Sequence, residues 1–397
     1  MGRHHAAVVG VGQSRLLRFD DVPLGVLAVE ATQAALADAG LATGDLDGIA
    51  CIPRQPFDDE GSQRDGEHFV STHLLLRLLS IESTRWGANV DIMLGHSLIE
   101  AVNAVEAGAC SHALVFRALH SPRGGYGRVT SLEVSGERQF TAPYGRFPPA
   151  DFAQLWSRYQ DVYSAGSRDQ MAALVLQSRV NGLRTPGGYW TVRGGATPTR
   201  EEYLSTRMVS TPLGLLDCDL PVQGCTAFVV TTGDRAQDLR QPPAYVLGTA
   251  APYFAEHGSV VPRGHTLDHH ERCGEIIAEH VWHDSGLRPG DVSAANLYDG
   301  FSFIPILWLE ALGFCARGEG FDFIQDGRIA PTGALPVNTG GGNLGVGRLH
   351  GANQIAESVL QVSGRAGERQ LDRAEAVIAT VGPPARGAAI VFGSSPG

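Results

Sequence analysis

One segment of this chain occurs twice. Gly40-Leu41, two residues, Gly44-Asp45-Leu46 and an apolar run at residues 49–52 return as Gly286-Leu287, two residues, Gly290-Asp291-Val292 and a run at residues 295–298, with the same spacing. An amphipathic helical pattern precedes each copy, over residues 24–38 and 270–284, and ends at the glycine, which can take the left-handed turn conformation. Before each helix stands a strand-like run, at 6–12 and 244–251, so each copy predicts a β-α-β unit whose parallel strands need a crossover helix. A second helix follows in each half, near 89–107 and 348–363, and leads to strand-like runs at 113–119 and 376–381. The pattern predicts two βαβ-rich halves, 1–240 and 241–397. The stretch 88–108 carries few charges and is apolar around most of its circumference, as a helix buried between layers must be. Between about 120 and 205 strand signals fade while aromatic, Arg, Gly and Pro content rises. This segment is expected to cap the site, with helical pieces at 151–165 and 168–181.

Composition narrows the function. A chain of 397 residues with 43% hydrophobic content fills a large core. The formal charge of −11 excludes a nucleic-acid partner, which needs a dense basic footprint. The apolar runs are too short for a membrane span and no leader pattern is present, so the expected compartment is the cytoplasm. Six cysteines without paired spacing fit a reducing environment and no disulfides. His265, His269, His270 and Cys273 bring metal-ligand atom types together, and helical spacing puts His269 and Cys273 on one face. They also open an amphipathic helix and lack a carboxylate-histidine signature, so no metal is expected.

Four motifs then follow in order: Asp217-Cys218-Asp219-Leu220-Pro221-Val222-Gln223-Gly224-Cys225, Leu297-Tyr298-Asp299-Gly300-Phe301, Leu309-Glu310-Ala311-Leu312-Gly313-Phe314-Cys315, and the glycine-rich 338–351, which contains Gly340-Gly341-Gly342 and Gly347-Arg348-Leu349-His350-Gly351. In order and spacing the chain resembles thiolase-like proteins over nearly its whole length. It looks most like their lipid-transfer-protein branch, which includes the steroid side-chain retro-aldolases of actinobacteria. The resemblance implies an α/β thiolase-like fold: two pseudo-symmetric halves in α-β-α-β-α layers with an inserted cap, a homodimer, and an acyl-CoA pocket where the halves meet. It also implies a small partner with an OB fold and zinc ribbon, fused to or associated with an acyl-CoA hydratase. No cofactor is implied beyond the coenzyme A thioester, which is substrate.

The catalytic cysteines of that family are missing. The nucleophile's place, early on the central helix, falls at Met93 or a near neighbour, and the second cysteine's place near Thr380. The oxyanion-hole asparagine is matched by Tyr298 and the histidine of Gly-His-Pro by Arg348. Without a thiolate, ordinary acyl transfer has no nucleophile. Retro-aldol cleavage of a β-hydroxyacyl-CoA needs only a proton acceptor and a stabilised thioester enolate, which the thiolase pocket already provides. The resemblance matches a tyrosine of the retro-aldolases to Tyr298, and a second tyrosine to the position of Arg348. Tyr298, Arg348 and His350 are therefore the catalytic candidates. Arg348 is expected to favour the phenolate of Tyr298 by charge, since a free phenol titrates near pH 10. Met93, His96, Ser97, Asp299, Gly341, Gly342 and Thr380 are expected to contact substrate. The bland alternatives are a packed core tyrosine, a surface arginine, a structural Asp299 and a hydrogen-bonded histidine. Cap aromatics, Tyr126, Phe140, Tyr144, Phe147, Phe152, Trp156, Tyr189 and Trp190, offer area for a bulky acyl group or a dimer interface. A non-catalytic acyl-CoA or lipid carrier, a scaffold subunit and a cysteine-independent condensing enzyme are the competing functions.

Overall fold

The duplicated Gly-Leu-x-x-Gly-Asp segment closes a helix in both halves of the computed structural model, which describes residues 5–53, 55, 64–90, 92–121, 148–255 and 266–396. Helix α1 (Leu24–Ala39) ends at Gly40 with φ 75°, and its counterpart (Leu267–Ser285, α5 below) ends at Gly286 with φ 70°. The Gly-Asp pair then folds a single 3-10 turn. Asp45 accepts the backbone N–H of Ala42 at 2.7 Å and Asp291 that of Arg288 at 2.8 Å. Both copies are conserved within the chain because both perform the same capping chemistry.

The main strands are β1 (Ala6–Gln13), β2 (Gly48–Cys51), β3 (Trp86–Asn89), β4 (His112–Leu119), β7 (Gly224–Thr232), β8 (Ala244–Ala250), β9 (Ala294–Asn296), β10 (Ala376–Val381) and β11 (Ala388–Gly393); β5 (Met208–Ser210) and β6 (Leu213–Gly214) form a separate hairpin. Among the described residues the nine run in the order β3-β2-β4-β7-β1-β8-β11-β10-β9. The order is a palindrome of structure. β2–β4 and β9–β10 are parallel, while β4–β7, β7–β1 and their counterparts β10–β11 and β11–β8 are antiparallel. The halves join where Ala7 and Val8 of β1 pair with Tyr245 and Ala244 of β8. Strands β1 and β2 thus lie parallel as expected, but two strands stand between them, because the crossover spans β7 and β4. Both central pairs also carry a bulge, at Val9 and Leu247, each followed by a glycine. A Cβ on Gly10 would sit 2.2 Å from the carbonyl oxygen of Ala35, and one on Gly248 would sit 2.6 Å from the amide of Ser285. Each helix rests directly on its strand at that point. Gly10→Ala should therefore destabilise the protein by about 2–3 kcal/mol, read as a lower denaturant midpoint at constant slope.

The other principal helices are α2 (Leu94–Glu106), α3 (Pro148–Tyr163), α4 (Arg168–Leu183), α5 (Leu267–Ser285), α6 (Ile304–Ala311) and α7 (Ala352–Val362). α2 is buried along most of its length, and a Cβ on its Gly95 would meet Ala388 and Val381 of the other half. In the cap, α3 and α4 match the expected helical pieces. Trp156 and Tyr159 of α3 pack on Phe303 and Phe321, so the cap is fastened to the second half by buried aromatic area. Tyr126, Phe140, Tyr144, Phe147 and His265 lie outside the described residues. No helix among those described is long and apolar enough to cross a membrane.

Candidate active site

The parallel strands deliver their carboxyl ends to one place, where ligands bind in open α/β sheets. β9 stops at Asn296, so residues 297–300 leave the ladder as a loop. The backbone N–H of Tyr298 donates to Thr380 Oγ1 at 2.9 Å, which fixes this loop to the end of β10. Just beyond, Gly382 lies against Met93, the residue before α2: a Cβ there would be 3.0 Å from Met93 Cγ. The 217–221 segment wraps around the same point. Cys218 bridges to Phe301, Ser302 Oγ donates to Asp217 at 2.8 Å, and the Arg348 amide donates to Leu220 at 2.8 Å. Three of the four motifs therefore assemble one site, and Trp308 of α6, the residue before the Leu309–Cys315 motif, donates to the Gly382 carbonyl at 2.9 Å.

Tyr298 is 7% exposed. Buried Tyr159 and Tyr203 and half-buried Tyr163 spend their hydroxyls on carboxylates: Tyr159 on Glu310, Tyr203 on Asp217 at 2.7 Å and Tyr163 on Glu271 at 2.7 Å. The Tyr298 hydroxyl has no hydrogen bond among the described residues, and it lies over Gly300, where a Cβ would approach it to 2.9 Å. Its charged neighbours are Asp219, Arg348, Arg386 and Asp299. Arg348 and Asp219 are themselves buried, with Nη1 3.9 Å from Oδ1. The expected phenolate does not result. Burial, helped by Asp219, pushes the phenol above its ordinary value and outweighs the pull of Arg348 and Arg386. At rest Tyr298 is a neutral hydroxyl.

His350 is partly exposed and touches Arg117, whose Nη2 lies 3.4 Å from its Nδ1. Burial and the three arginines Arg117, Arg348 and Arg386 hold its imidazole well below the usual histidine range. Asp299 turns away from Tyr298 into the glycine-rich segment, accepting N–H of Asn343 at 2.7 Å, N–H of Leu344 at 3.3 Å and Gln354 Nε2 at 2.7 Å. Burial raises its carboxyl to about 7. The glycines pack in the same spirit. The side of Gly341 where a Cβ would project is filled by Gly182 of α4, and that of Gly342 by the Asp299 carboxylate. These sides of Gly341 and Gly342 seat the cap helix and Asp299, and leave no cradle there for a phosphate. His96 meets the exposed Tyr253 edge-on at 5.9 Å, and Ser97 Oγ is buried with no hydrogen-bond partner among the described residues.

Arg117 and Arg386 lie outside the four motifs and Asp219, inside the first, carries no assigned role, yet with Arg348 they supply the site's charges. The sequence held one signal for them: Arg117 is a lone charge in the otherwise apolar run 112–119. No thiol competes. Burial raises Cys110 to about 11, Cys51 and Cys315 to about 12, and Cys218 and Cys225 further. His269 and Cys273 do lie together, with Sγ 3.5 Å from Nε2, but no group of three or more metal-ligating residues occurs among the described residues.

Comparison with known proteins places the chain. Residues 272–391 match the thiolase C-terminal domain-like family. The chain is 32% identical over 368 residues to the 17-hydroxy-3-oxo-4-pregnene-20-carboxyl-CoA lyase of Mycobacterium tuberculosis, covering 90% of this chain and 92% of that protein. This chain belongs to the thiolase-like family. Its place there is with carbon–carbon lyases, not with the thiolytic enzymes. A steroid side-chain-cleaving aldolase of Thermomonospora curvata is also 32% identical over 368 residues, covering 90% of each chain. Among solved structures, the Ltp2-ChsH2(DUF35) aldolase superposes with a TM-score of 0.81 at 28% identity, over 98% of both chains.

Proposed function

We propose that this protein cleaves the bond between the α and β carbons of a β-hydroxyacyl-CoA by a retro-aldol reaction, giving a ketone and a shorter acyl-CoA such as propionyl-CoA. The observation that carries this is the hydroxyl of the buried Tyr298, which has no hydrogen bond among the described residues and whose charged neighbours are Asp219, Arg348 and Arg386. From the minor phenolate form, the Tyr298 oxygen takes the β-hydroxyl proton, the Cα–Cβ electron pair moves onto the thioester as an enolate, and the proton now on Tyr298 is returned to the α carbon, which regenerates the phenolate. No proton is gained or lost overall. Arg348 stabilises the enolate charge, and α2 and α7 support it because both begin at the site without a side-chain cap. Phe152 of α3 stacks on Phe301 at 4.8 Å, three residues from Tyr298, and offers an apolar wall. With the likeness to the steroid lyases, this favours a bulky, steroid-derived acyl group.

By the same likeness we assign a small OB-fold, zinc-ribbon partner, associated with an acyl-CoA hydratase, and a homodimer in the cytoplasm. The dimer is supported by β3, an edge strand of the sheet whose residues alternate between half-buried and exposed. The test is mass-spectrometric product analysis of a panel of β-hydroxyacyl-CoAs with that partner present. A ketone and a shortened thioester are expected. Tight binding of every substrate with none consumed would instead make the protein a carrier. Because the resting phenol sits above its ordinary pKa of about 10, the phenolate fraction grows about tenfold per pH unit across neutrality. kcat/KM should climb accordingly between pH 6 and 9 without reaching a plateau.

A further inference from the structure

His350 occupies a backbone conformation that its neighbours impose. Its φ is 52°, and Gly351, with φ 91°, follows it at the start of α7. A non-glycine residue is held in this left-handed region only where the surrounding structure fixes it, and such positions gather at functional sites. Arg117 faces it from β4. The guanidinium is buried, and its Nη1 donates to the Ile52 carbonyl at 2.6 Å, which clamps it across the ends of β2 and β4. Its Nη2 then reaches His350 Nδ1 at 3.4 Å.

This contact has a definite chemical meaning. A guanidinium has five N–H donors and no acceptor, so Nδ1 must present its lone pair. A neutral ring must then carry its one proton on Nε2, and an imidazolium would set N–H against N–H. The charged groups that face the ring are Arg117 from β4, Arg348 from its own loop and Arg386 from the Pro384–Arg386 turn, all cationic, and they keep it unprotonated. Arg348 and Arg386 are also the positive neighbours of Tyr298. The two side chains thus share one cationic wall.

We propose that Arg117 is a positioning residue: by engaging His350 Nδ1 it fixes a neutral imidazole whose Nε2–H donates a hydrogen bond to the oxygen of the thioester enolate. A neutral donor stabilises that oxygen without surrendering a proton to it, so the electron pair stays available for protonation at carbon. The identity of the bound oxygen rests on the retro-aldol reading; the tautomer rests on the Arg117 contact alone.

Long-range proton–nitrogen NMR of the full chain with its partner reads the tautomer directly, the His350 signals being assigned by their loss in His350→Gln. The expected spectrum has Nδ1 bare and Nε2 protonated, with the imidazolium forming only well below the ordinary histidine range. Arg117→Met should make the ring easier to protonate than in the wild type, with burial, Arg348 and Arg386 still holding it below the ordinary range, and should lower kcat about tenfold while KM stays within about threefold. In the His350→Gln background the same change should cost nothing further. Arg117→Lys, which keeps the buried charge but cannot hold both partners in one fork, should shift the tautomer in the same direction. A wild-type ring protonated on Nδ1, or losses that multiply in the double variant, would overturn the proposal. If neither Arg117 variant folds, the wild-type spectrum decides. If no substrate is cleaved, the retro-aldol reading fails, while the NMR still reports on the Arg117–His350 pair.

Discussion

Tyr298→Phe is expected to lower kcat/KM by about 10²–10⁴-fold, the usual contribution of a positioned acid–base group, while leaving acyl-CoA affinity and the folding midpoint close to wild type. The sharpness of this expectation comes from what the hydroxyl does not do. Tyr203→Phe would strip a donor from buried Asp217, and Tyr159→Phe one from Glu310, so either would disturb folding. The Tyr298 hydroxyl holds no other group among the described residues, so its removal takes away only its reactivity. Isothermal titration with the acyl-CoA product, set beside steady-state rates, separates the outcomes. Unchanged turnover would remove Tyr298 from the reaction and leave a binding protein. Loss of affinity together with rate would make the hydroxyl a substrate anchor instead.

The two halves were legible in the sequence because the repeated segment encodes local chemistry. A glycine that ends a helix and an aspartate that caps the following turn act within six residues of each other. Strand neighbours were not legible: β1 and β2 belong to one β-α-β unit, but β4 and β7 fill the space between them, a consequence of packing across the whole chain. Motif order brought Tyr298, Arg348 and Thr380 to the same place. Of their charge environment it offered only Arg348 beside Tyr298, because Asp219 and Arg386 reach Tyr298 only through the fold. The sign of the phenol's shift was missed for the same reason. Two nearby arginines argue for a phenolate, and only the burial seen in three dimensions reverses that balance. Asp299 follows a different logic, since its removal from Tyr298's side depends on where β9 stops.

Asp299→Ala should produce the largest stability change. It would leave the N–H groups of Asn343 and Leu344 and the amide of Gln354 facing an apolar void, at about 1–3 kcal/mol for each buried donor, so that a total loss of about 3–5 kcal/mol is expected. The glycine-rich segment and the Tyr298 loop would also separate, so activity should fall with stability. Asp299→Asn keeps the shape and isolates the charge. The wild-type carboxyl titrates near 7 in the folded protein, above the unfolded value of about 3.9. Between those values the folded state binds a proton that the unfolded chain does not. The protonated carboxyl therefore stabilises the fold at low pH, and this contribution is lost as pH rises through 7. Denaturant titrations of wild type and Asp299→Asn should show the wild type losing about 2–3 kcal/mol relative to the variant between pH 5 and 8. A difference that does not vary with pH would mean the carboxylate is already ionised at pH 5, with its three donors outweighing burial. In that case the glycine-rich turn is anchored by a charge, and the electrostatic field at Tyr298 is more negative than burial alone implies.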